Sequence, residues 1–348
     1  MRKTVTVGKY TIGGGNPIVI QSMTNTFTHD VDATVSQIHR LEDAGCEIIR
    51  LAVPDERAAR ALSSIKSRVA LPMIADIHFD HSLALISIEE GIDALRLNPG
   101  NIKKREHVEA VVSRAAKAHI PIRIGVNAGS IDRSKYPHPT PEALVESALS
   151  HVTILEELNY FDIKVSLKAY DIPTTVEAYR LFAKQRDYPL HIGITEAGGV
   201  YKGTIRSAVG IGVLLYEGLG DTIRVSLTGD PVEEVKAAKE ILSSLNLRTF
   251  GVDIISCPTC GRTEIPLEEM LRVIQTELSD ITVPLKIAVM GCVVNGPGEA
   301  KDADLGIAGG KGEGIIFVKG EIIGKYPEKT LVQEFIAQVR KYAENISR

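Results

Sequence analysis

Three of the four cysteines in this 348-residue chain lie in its last hundred residues. Cys257 and Cys260 form a C-x-x-C motif in CPTCG, and Cys292 follows 32 residues later in MGCVVNGPGE. A C-x-x-C motif alone fits zinc binding, an iron-sulfur cluster or dithiol redox chemistry. A thioredoxin-like dithiol has no use for a third cysteine, and a closed structural zinc site needs a fourth ligand that is normally Cys or His.

A fourth ligand for these thiolates has to come from elsewhere. No histidine follows His191 in the sequence. Cys46 precedes the second predicted strand, at the wrong end of the fold for a shared site, and is interpreted as a buried packing residue. Glu299, seven residues after Cys292, is the nearest carboxylate. Three thiolates fit a 4Fe-4S cluster with one weakly held iron, and zinc bound by three cysteines and an oxygen is the alternative.

A second set of chemically active residues lies at or near the ends of eight short apolar runs. Within most runs these polar residues are two or four positions apart, so they point to the same side of a strand. The set comprises Arg50, Asp76, His78, Arg96, Asn98, Arg123, Asn127, Lys164, Ser166, Lys168, His191, Glu196, Arg224 and Ser226.

Four arginines and two lysines of this set concentrate positive charge in a chain whose net charge is −4. Such a cluster is unfavourable unless an anion balances it, and the planar guanidinium group suits phosphate oxygens. We therefore expect a small substrate that carries one or more phosphates. Any one of these residues, taken singly, could equally be satisfied by structural partners.

Three members of the set allow more than one interpretation. Glu196, a carboxylate among cations, is either an ion-pair partner or a proton donor and acceptor for the substrate. Lys164 or Lys168 could form a Schiff base, as in barrel aldolases, but a Schiff-base lyase leaves the three cysteines unexplained.

The eight runs have the spacing of alternating strands and helices. They occupy residues 17–23, 47–53, 72–78, 94–99, 120–127, 162–168, 190–196 and 222–228. Helix-compatible segments lie between them, including 31–44 and 141–158, the latter with Pro141 at the first helical position. Eight such units in about 240 residues predict a TIM (β/α)8 barrel, whose catalytic groups lie at the carboxyl ends of its strands. A doubly wound sheet is the rival, but no run ends in a G-x-G-x-x-G turn.

A change of pattern near residue 247 predicts two domains. Residues 1–246 would form the substrate-binding barrel, and residues 247–348 a smaller α/β domain that holds the cluster. Nine of the 30 residues from 291 to 320 are glycine, which favours tight turns and close backbone approach around an inorganic group.

Composition excludes several classes of protein. Hydrophobic residues make up 44% and charged residues 24%, which argues against disorder and fibrous repeats. Forty Lys and Arg against 44 Asp and Glu argue against a broad nucleic-acid surface. No apolar run reaches the roughly 18 residues of a membrane span, and the first residues lack the apolar core of a signal peptide, so we expect a cytoplasmic protein.

Long motifs along the chain resemble those of a known enzyme family. In order, they are DIHFD, LRLNPGN, RIGVNAGS, KVSLKA, GITEAG, RVSLTGDP, CPTCG and MGCVVNGPGEA. With them the sequence closely resembles the bacterial 4-hydroxy-3-methylbut-2-enyl diphosphate synthases of the methylerythritol phosphate pathway to isoprenoids. The likeness spans essentially the whole chain, and its length resembles the two-domain form without the inserted domain of the plant type.

The resemblance implies a barrel followed by a smaller α/β domain with a 4Fe-4S cluster on Cys257, Cys260, Cys292 and Glu299. It implies conversion of 2-C-methyl-D-erythritol 2,4-cyclodiphosphate to (E)-4-hydroxy-3-methylbut-2-enyl diphosphate, a two-electron ring opening that expels a hydroxyl as water. Reduced flavodoxin or ferredoxin would donate the electrons. The enzyme would be a homodimer in which the cluster domain of one chain closes over the barrel mouth of the other.

Roles for individual residues follow from the resemblance and the residue chemistry together. Five cations would hold the diphosphate, and the other strand-end residues would orient them or add contacts. The five are Arg50, Arg96, Arg123, Lys168 and Arg224. Glu196 would transfer protons, and Glu299 would give up its iron to a substrate oxygen. An iron-sulfur electron carrier is the non-enzymatic alternative, but it leaves the polar barrel mouth without a use.

Overall fold

The computed structural model describes residues 2–77, 80–97, 104–131, 134–292, 300 and 302–346. The chain divides into two units, a barrel unit (Met1–Arg248) and a cysteine unit (Thr249–Arg348). Within the described ranges, no helix combines the length and the apolar character needed to cross a membrane.

An antiparallel hairpin of β1 (Thr4–Val7) and β2 (Tyr10–Gly13) opens the barrel unit. It was not expected from the sequence, although its apolar residues alternate. Its inward side chains pack on residues at or near the amino-terminal ends of four barrel strands. The cluster comprises Val5, Val7, Ile12, Val19, Ile48, Ile74 and Ala94. The hairpin therefore covers the amino-terminal end of the barrel and leaves the carboxyl ends of the strands as its mouth.

Eight parallel strands form the barrel wall. They are β3 (Val19–Met23), β4 (Ile48–Val53), β5 (Met73–Ile77), β6 (Ala94–Leu97), β7 (Ile122–Asn127), β8 (Ile163–Lys168), β9 (His191–Ile192) and β10 (Thr222–Ile223). Their order, β8-β7-β6-β5-β4-β3-β10-β9, returns to its start because a parallel bridge joins Val165 to Leu190. The predicted TIM barrel is confirmed, and the doubly wound alternative is wrong.

Helices cover the outside of this wall. They are α1 (Val31–Asp43), α2 (Glu56–Arg60), α3 (Leu62–Lys66), α4 (His81–Glu89), α5 (Arg105–Ala118), α6 (Pro141–Glu157), α7 (Ile172–Ala183), α8 (Val200–Tyr216) and α9 (Pro231–Ser244). Helix α6 begins as expected, with Pro141 in its first turn and Thr140 accepting a hydrogen bond from the Ala143 N–H. Strands β5, β6 and β8 are buried at every position, because helices cover one face and the barrel core the other.

The cysteine unit is a five-stranded mixed sheet with two helices. Its elements are β11 (Val252–Ser256), α10 (Leu267–Glu277), β12 (Leu285–Met290), β13 (Leu305–Gly309), β14 (Glu313–Val318), β15 (Glu321–Pro327) and α11 (Glu328–Ile346). Strands β11, β12 and β13 are parallel, whereas β14 and β15 follow as antiparallel neighbours. Met270 and Ile274 of α10 and Phe335 and Val339 of α11 belong to one apolar core with the sheet.

Candidate active site

The carboxyl ends of the barrel strands surround a cavity of about 210 Å³. Its lining comprises Met23, Arg50, Asp76, Arg96, Arg123, Asn127, Ser166, Lys168, Thr195, Arg224 and Ser226. Nine of these eleven belong to the set of strand-end residues picked out from the sequence. Sequence reasoning missed Met23 and Thr195.

The other members of the predicted set lie elsewhere. Lys164 and His191 are buried in the barrel interior and do not line the cavity. Glu196 is exposed just beyond β9, and its backbone is left-handed, with φ of 55°. His78 and Asn98 lie outside the described residues.

Charge in the cavity wall is strongly unbalanced. Its lining holds five cations and one carboxylate, Asp76. Asp76 lies between two of the cations: its Oδ2 is 3.5 Å from Arg50 Nε, and its Oδ1 accepts a 2.9 Å hydrogen bond from Arg96 Nη1. One carboxylate is thus shared by two arginines, and positive charge remains in excess.

Glu234 supplies a second buried carboxylate that sequence reasoning missed. It lies in the first turn of α9, and its Oε1 accepts hydrogen bonds from Arg224 Nη2 at 3.2 Å and from the Leu227 N–H at 3.0 Å. Its Oε2 accepts a hydrogen bond from Ser22 Oγ at 3.3 Å. Glu234 therefore orients Arg224 from behind. The acidic first turn of the helix that follows the last barrel strand was the available signal.

Several cationic atoms in and under the cavity are buried without a hydrogen-bond partner among the described residues. They are Arg96 Nε, Arg123 Nε and Nη1, Lys164 Nζ and Arg224 Nε. Buried polar atoms are normally paired, and a buried charge is costly without a partner. An anion in this cavity would supply acceptors to the three arginines, which line it, whereas Lys164 lies below it.

The pKa shifts of these cations have the same cause. Burial lowers the pKa of Arg50 to about 10, although Asp76 opposes the effect. Burial, with Arg50 and Arg96 nearby, lowers the pKa of Arg123 well below its ordinary value. Burial and Arg123 likewise lower the pKa of Lys164 to about 7. A bound anion would reverse these shifts, because it favours the charged form of each group.

Two glycines make room for the cationic side chains. A Cβ on Gly125 of β7 would lie 2.6 Å from Arg96 Nε, and one on Gly193 would lie 2.3 Å from the Arg224 carbonyl oxygen and 2.7 Å from Lys168 Nζ. Neither position tolerates a side chain without displacing a cation or the backbone. The glycines in RIGVN and HIGIT therefore shape the cavity wall.

The three cysteines lie at the carboxyl edge of two neighbouring strands. Cys257 directly follows β11, and Cys292 lies two residues after β12, which pairs in parallel with β11. The Gly291 N–H donates to Cys257 Sγ at 3.1 Å. The chain between Cys257 and Glu264 returns to this edge, because the Glu264 N–H donates to the Gly291 carbonyl at 3.1 Å. Cys260 is exposed on that returning segment.

The residue types at this edge suit an iron-sulfur cluster, in which each iron takes its own thiolate. Within the described ranges, no three His, Cys, Asp or Glu side chains are grouped closely enough to hold one metal ion. The Gly291 N–H favours a thiolate at Cys257, and hydrogen bonds from Arg262, mainly from its backbone, lower the pKa of Cys260. Glu299 lies outside the described residues.

Cys46 has a different environment. It is buried between α1 and β4, and its Sγ–H donates to the Ile48 carbonyl at 3.2 Å. Burial raises the pKa of its thiol to about 12. A buried, protonated thiol at the amino-terminal end of a barrel strand is a packing residue, as the sequence predicted.

Solved structures with low sequence identity share the barrel architecture. Dihydropteroate synthase of Yersinia pestis is 12% identical, with a TM-score of 0.51 over 71% of this chain and 100% of that chain. Type I 3-dehydroquinate dehydratase of Clostridium difficile is 16% identical, with a TM-score of 0.51 over 70% of this chain and 98% of that chain. At these identities the likeness shows the fold alone.

Full-length relatives are far more similar. Proteins named 4-hydroxy-3-methylbut-2-en-1-yl diphosphate synthase (flavodoxin) include one of Geobacillus thermodenitrificans, 56% identical over 98% of this chain and 92% of its own. Another, of Geobacter sulfurreducens, is 58% identical over 97% of both chains. The GcpE TIM-barrel domain model matches residues 2–239, and the GcpE protein C-terminal domain model matches residues 253–341. The chain therefore belongs to the GcpE family.

Proposed function

We propose that this protein is a 4-hydroxy-3-methylbut-2-enyl diphosphate synthase. It would convert 2-C-methyl-D-erythritol 2,4-cyclodiphosphate, two electrons and protons into (E)-4-hydroxy-3-methylbut-2-enyl diphosphate and water. The observation that carries this proposal is the barrel-mouth cavity, whose five cations face one lining carboxylate. A compact cyclic diphosphate supplies the negative charge that this wall lacks. The names of the full-length relatives support the same reaction.

Substrate binding would fall first to the lining cations that form no ion pair within the described residues. Arg123, with two guanidinium nitrogens unpartnered among the described residues, and Lys168 would take the diphosphate directly. Arg50 and Arg96, held in place by Asp76, and Arg224, held by Glu234, would add charge-assisted hydrogen bonds. Ser166, Asn127 and Ser226 supply neutral polar groups in the same wall. His78 and Asn98 stay predictions.

Cys257, Cys260, Cys292 and Glu299 would hold a 4Fe-4S cluster. Such a cluster supplies single electrons and a Lewis-acidic iron. The protein's own contribution is to stabilise thiolates, through the Gly291 N–H at Cys257 and the Arg262 N–H at Cys260. The name of the full-length relatives includes flavodoxin, which supports reduced flavodoxin as the electron donor. Ferredoxin would be an equivalent one-electron carrier.

Glu196 would hold and release protons at the reacting end of the substrate. It is a carboxylate beyond the end of β9, close in sequence to Thr195 of the cavity wall. Its left-handed backbone is uncommon for a residue with a side chain, and such conformations concentrate at functional sites. We also propose that the protein is cytoplasmic.

The active form would be a homodimer joined through the outer face of α8. This face, the α8 stripe, exposes a row of apolar side chains: Tyr201, Ile205, Val209, Val213 and Tyr216. The stripe reads nearly the same in both directions, with tyrosines at its ends and β-branched residues between them. A second copy related by a two-fold axis through Val209 would pair Ile205 with Val213 and Tyr201 with Tyr216. Such self-complementarity favours a second copy over an unrelated partner.

An anaerobic assay of the reconstituted full-length protein tests the proposed reaction. With the cyclodiphosphate and reduced methyl viologen, we expect the ring-opened diphosphate and a visible absorption band of the cluster. Cys257→Ser should lose both, whereas Cys46→Ser, a change at the buried packing cysteine, should keep both. A colourless protein with one tightly bound zinc would refute the cluster. A cluster-bearing protein that leaves the cyclodiphosphate unchanged would refute the synthase.

A further inference from the structure

The Tyr179 hydroxyl interrupts the hydrogen-bond ladder between β8 and β9. Parallel strands bond at every second residue, so the bond from the Val165 N–H to the Pro189 carbonyl at 2.9 Å should be followed by one from Leu167 to His191. Instead, the Leu167 N–H donates to the Tyr179 hydroxyl at 3.0 Å, and that hydroxyl donates to the His191 carbonyl at 2.6 Å. One side-chain oxygen is thus inserted between two barrel strands.

The inserted hydroxyl lies beside a chain of buried polar side chains. Lys168, the residue after Leu167, has its Nζ 3.2 Å from His191 Nε2, and His191 Nδ1 is 2.8 Å from Thr222 Oγ1. When Lys168 is charged, as a bound anion favours, its ammonium can only donate, so His191 Nε2 accepts and the Nδ1–H donates to Thr222 Oγ1. The chain runs across β8, β9 and β10 and ends at a cation of the cavity wall.

Tyr179 and His191 have no direct access to a ligand. Both are fully buried, and neither lines the cavity. Burial, followed by the charges of Lys168 and Arg123, lowers the pKa of His191 well below its ordinary value, so the ring stays a neutral acceptor. Gly193, one residue beyond β9, leaves the space that Lys168 Nζ occupies. Three features therefore determine the position of the Lys168 ammonium. They are the separation of β8 and β9, the neutral imidazole of His191 and the absence of a Cβ at Gly193.

We propose that Tyr179 is a positioning residue of the anion site: its hydroxyl sets the separation of β8 and β9 that places Lys168 against His191 and at the cavity. Without the hydroxyl, Leu167 and His191 can bond directly and draw the two strands together. The Lys168 ammonium would then shift relative to His191 and to the bound anion. The test rests on the proposed function, because the cyclodiphosphate is the anion used.

Binding without turnover tests this role. Calorimetric titration of the oxidised holoenzyme with the cyclodiphosphate, in the absence of a reductant, gives a Kd that does not depend on redox activity. Tyr179→Phe should raise this Kd about tenfold, the effect of weakening one hydrogen bond to a charged group. Tyr160→Phe is the matched control, because its buried hydroxyl donates to the Ile120 carbonyl, two residues before β7. We expect the control to leave Kd unchanged.

A double-mutant cycle separates positioning from general destabilisation. In a Lys168→Met background, Tyr179→Phe should change Kd by less than about twofold, because the ammonium it positions is gone. An equal tenfold rise in Kd in both backgrounds would overturn the proposal. If the wild type binds the cyclodiphosphate, a Tyr179→Phe variant with the same Kd as the wild type would also overturn it. If Tyr179→Phe does not fold, Thr222→Val tests the other end of the chain of polar side chains from Lys168 through His191 to Thr222. We expect the same tenfold rise in Kd. A wild type that binds no cyclodiphosphate would refute the proposed function itself.

Discussion

Arg224 Nη2 donates to Glu234 Oε1 at 3.2 Å, so a carboxylate from outside the cavity wall holds one of its cations. This relationship links the last barrel strand region to the first turn of α9. The same carboxylate accepts bonds from the backbone of Leu227 and from the hydroxyl of Ser22. Its loss should therefore affect stability as well as the site.

Glu234→Gln should lower the free energy of unfolding by about 1 to 3 kcal/mol, because it leaves the partly buried Arg224 without its counter-charge. The adjacent Glu233→Gln is the matched control. The Glu233 side chain is 40% exposed and pairs only with Lys236 among the described residues, so we expect a change within about 0.5 kcal/mol. Urea unfolding followed by circular dichroism measures both. Equal stability of the two variants would contradict the role given to Glu234.

Lys164→Met should stabilise the ligand-free protein near neutral pH, because it removes a buried ammonium without a partner among the described residues. The Lys164 pKa falls from 10.5 to about 7 on folding, so between those pH values the unfolded chain binds more protons. Wild-type stability should therefore rise with pH in this window, by up to about 1.4 kcal/mol per unit. The variant lacks the Lys164 contribution to this slope, so its advantage in stability over the wild type should shrink from about pH 7.5 to about pH 9.5.

Melting temperatures at several pH values measure the Lys164 effect. Lys184→Met, at an exposed position just after α7, serves as the control and should follow the wild type at each pH. A constant difference between Lys164→Met and wild type across the range would show that Lys164 is not protonated differently in the folded state.

Glu196→Gln should lower turnover by about 10²- to 10⁴-fold while the cluster absorption stays unchanged, because the amide cannot transfer a proton. Glu196→Gly separates chemistry from folding. Glycine adopts the observed φ of 55° without strain, which offsets the flexibility it adds to the unfolded chain. We expect its melting temperature to match the wild type and its turnover to be lost. Near-normal turnover of Glu196→Gln would refute the assignment.

Val209→Glu should dissociate the proposed dimer, because two carboxylates would face each other at the two-fold axis of the α8 stripe. Sedimentation velocity should show a dimer for the wild type and a monomer for the variant. Gln185→Glu adds the same charge at an exposed position after α7 and should leave the dimer intact. A wild-type monomer, or a dimer that tolerates Val209→Glu, would exclude this interface.

The barrel could be predicted because each strand carries a local apolar pattern. β9 and β10 are much shorter than the runs 190–196 and 222–228 suggested, with two residues each. The Tyr179 hydroxyl partly explains the shortness of β9, since it replaces the ladder bond between Leu167 and His191. Tyr179 is on a helix, and nothing in the local sequence of either strand shows that its side chain enters the ladder.

The cationic cavity could also be predicted, because parallel strands end at the same mouth and their polar residues share one side. The pairing of the charged residues could not be predicted. Asp76 lies between Arg50 and Arg96, and Glu234 reaches Arg224 from α9, only because of distances across the closed barrel. Lys164 was expected to contact substrate, but its position on β8 places it below the cavity. How deep a residue lies in a barrel depends on strand register, which periodicity alone does not give.

The pairing of β10 with β3 has a consequence for biosynthesis. Thr222 pairs with Val19, so the wall cannot close until nearly all of the barrel unit has left the ribosome. Until then, one edge of β3 is unpaired. A nascent chain with an open strand edge avoids aggregation by binding chaperones or by folding quickly. Cys257, Cys260 and Cys292 are all translated after this closing strand. Cluster assembly therefore acts on a chain whose barrel sequence is already complete.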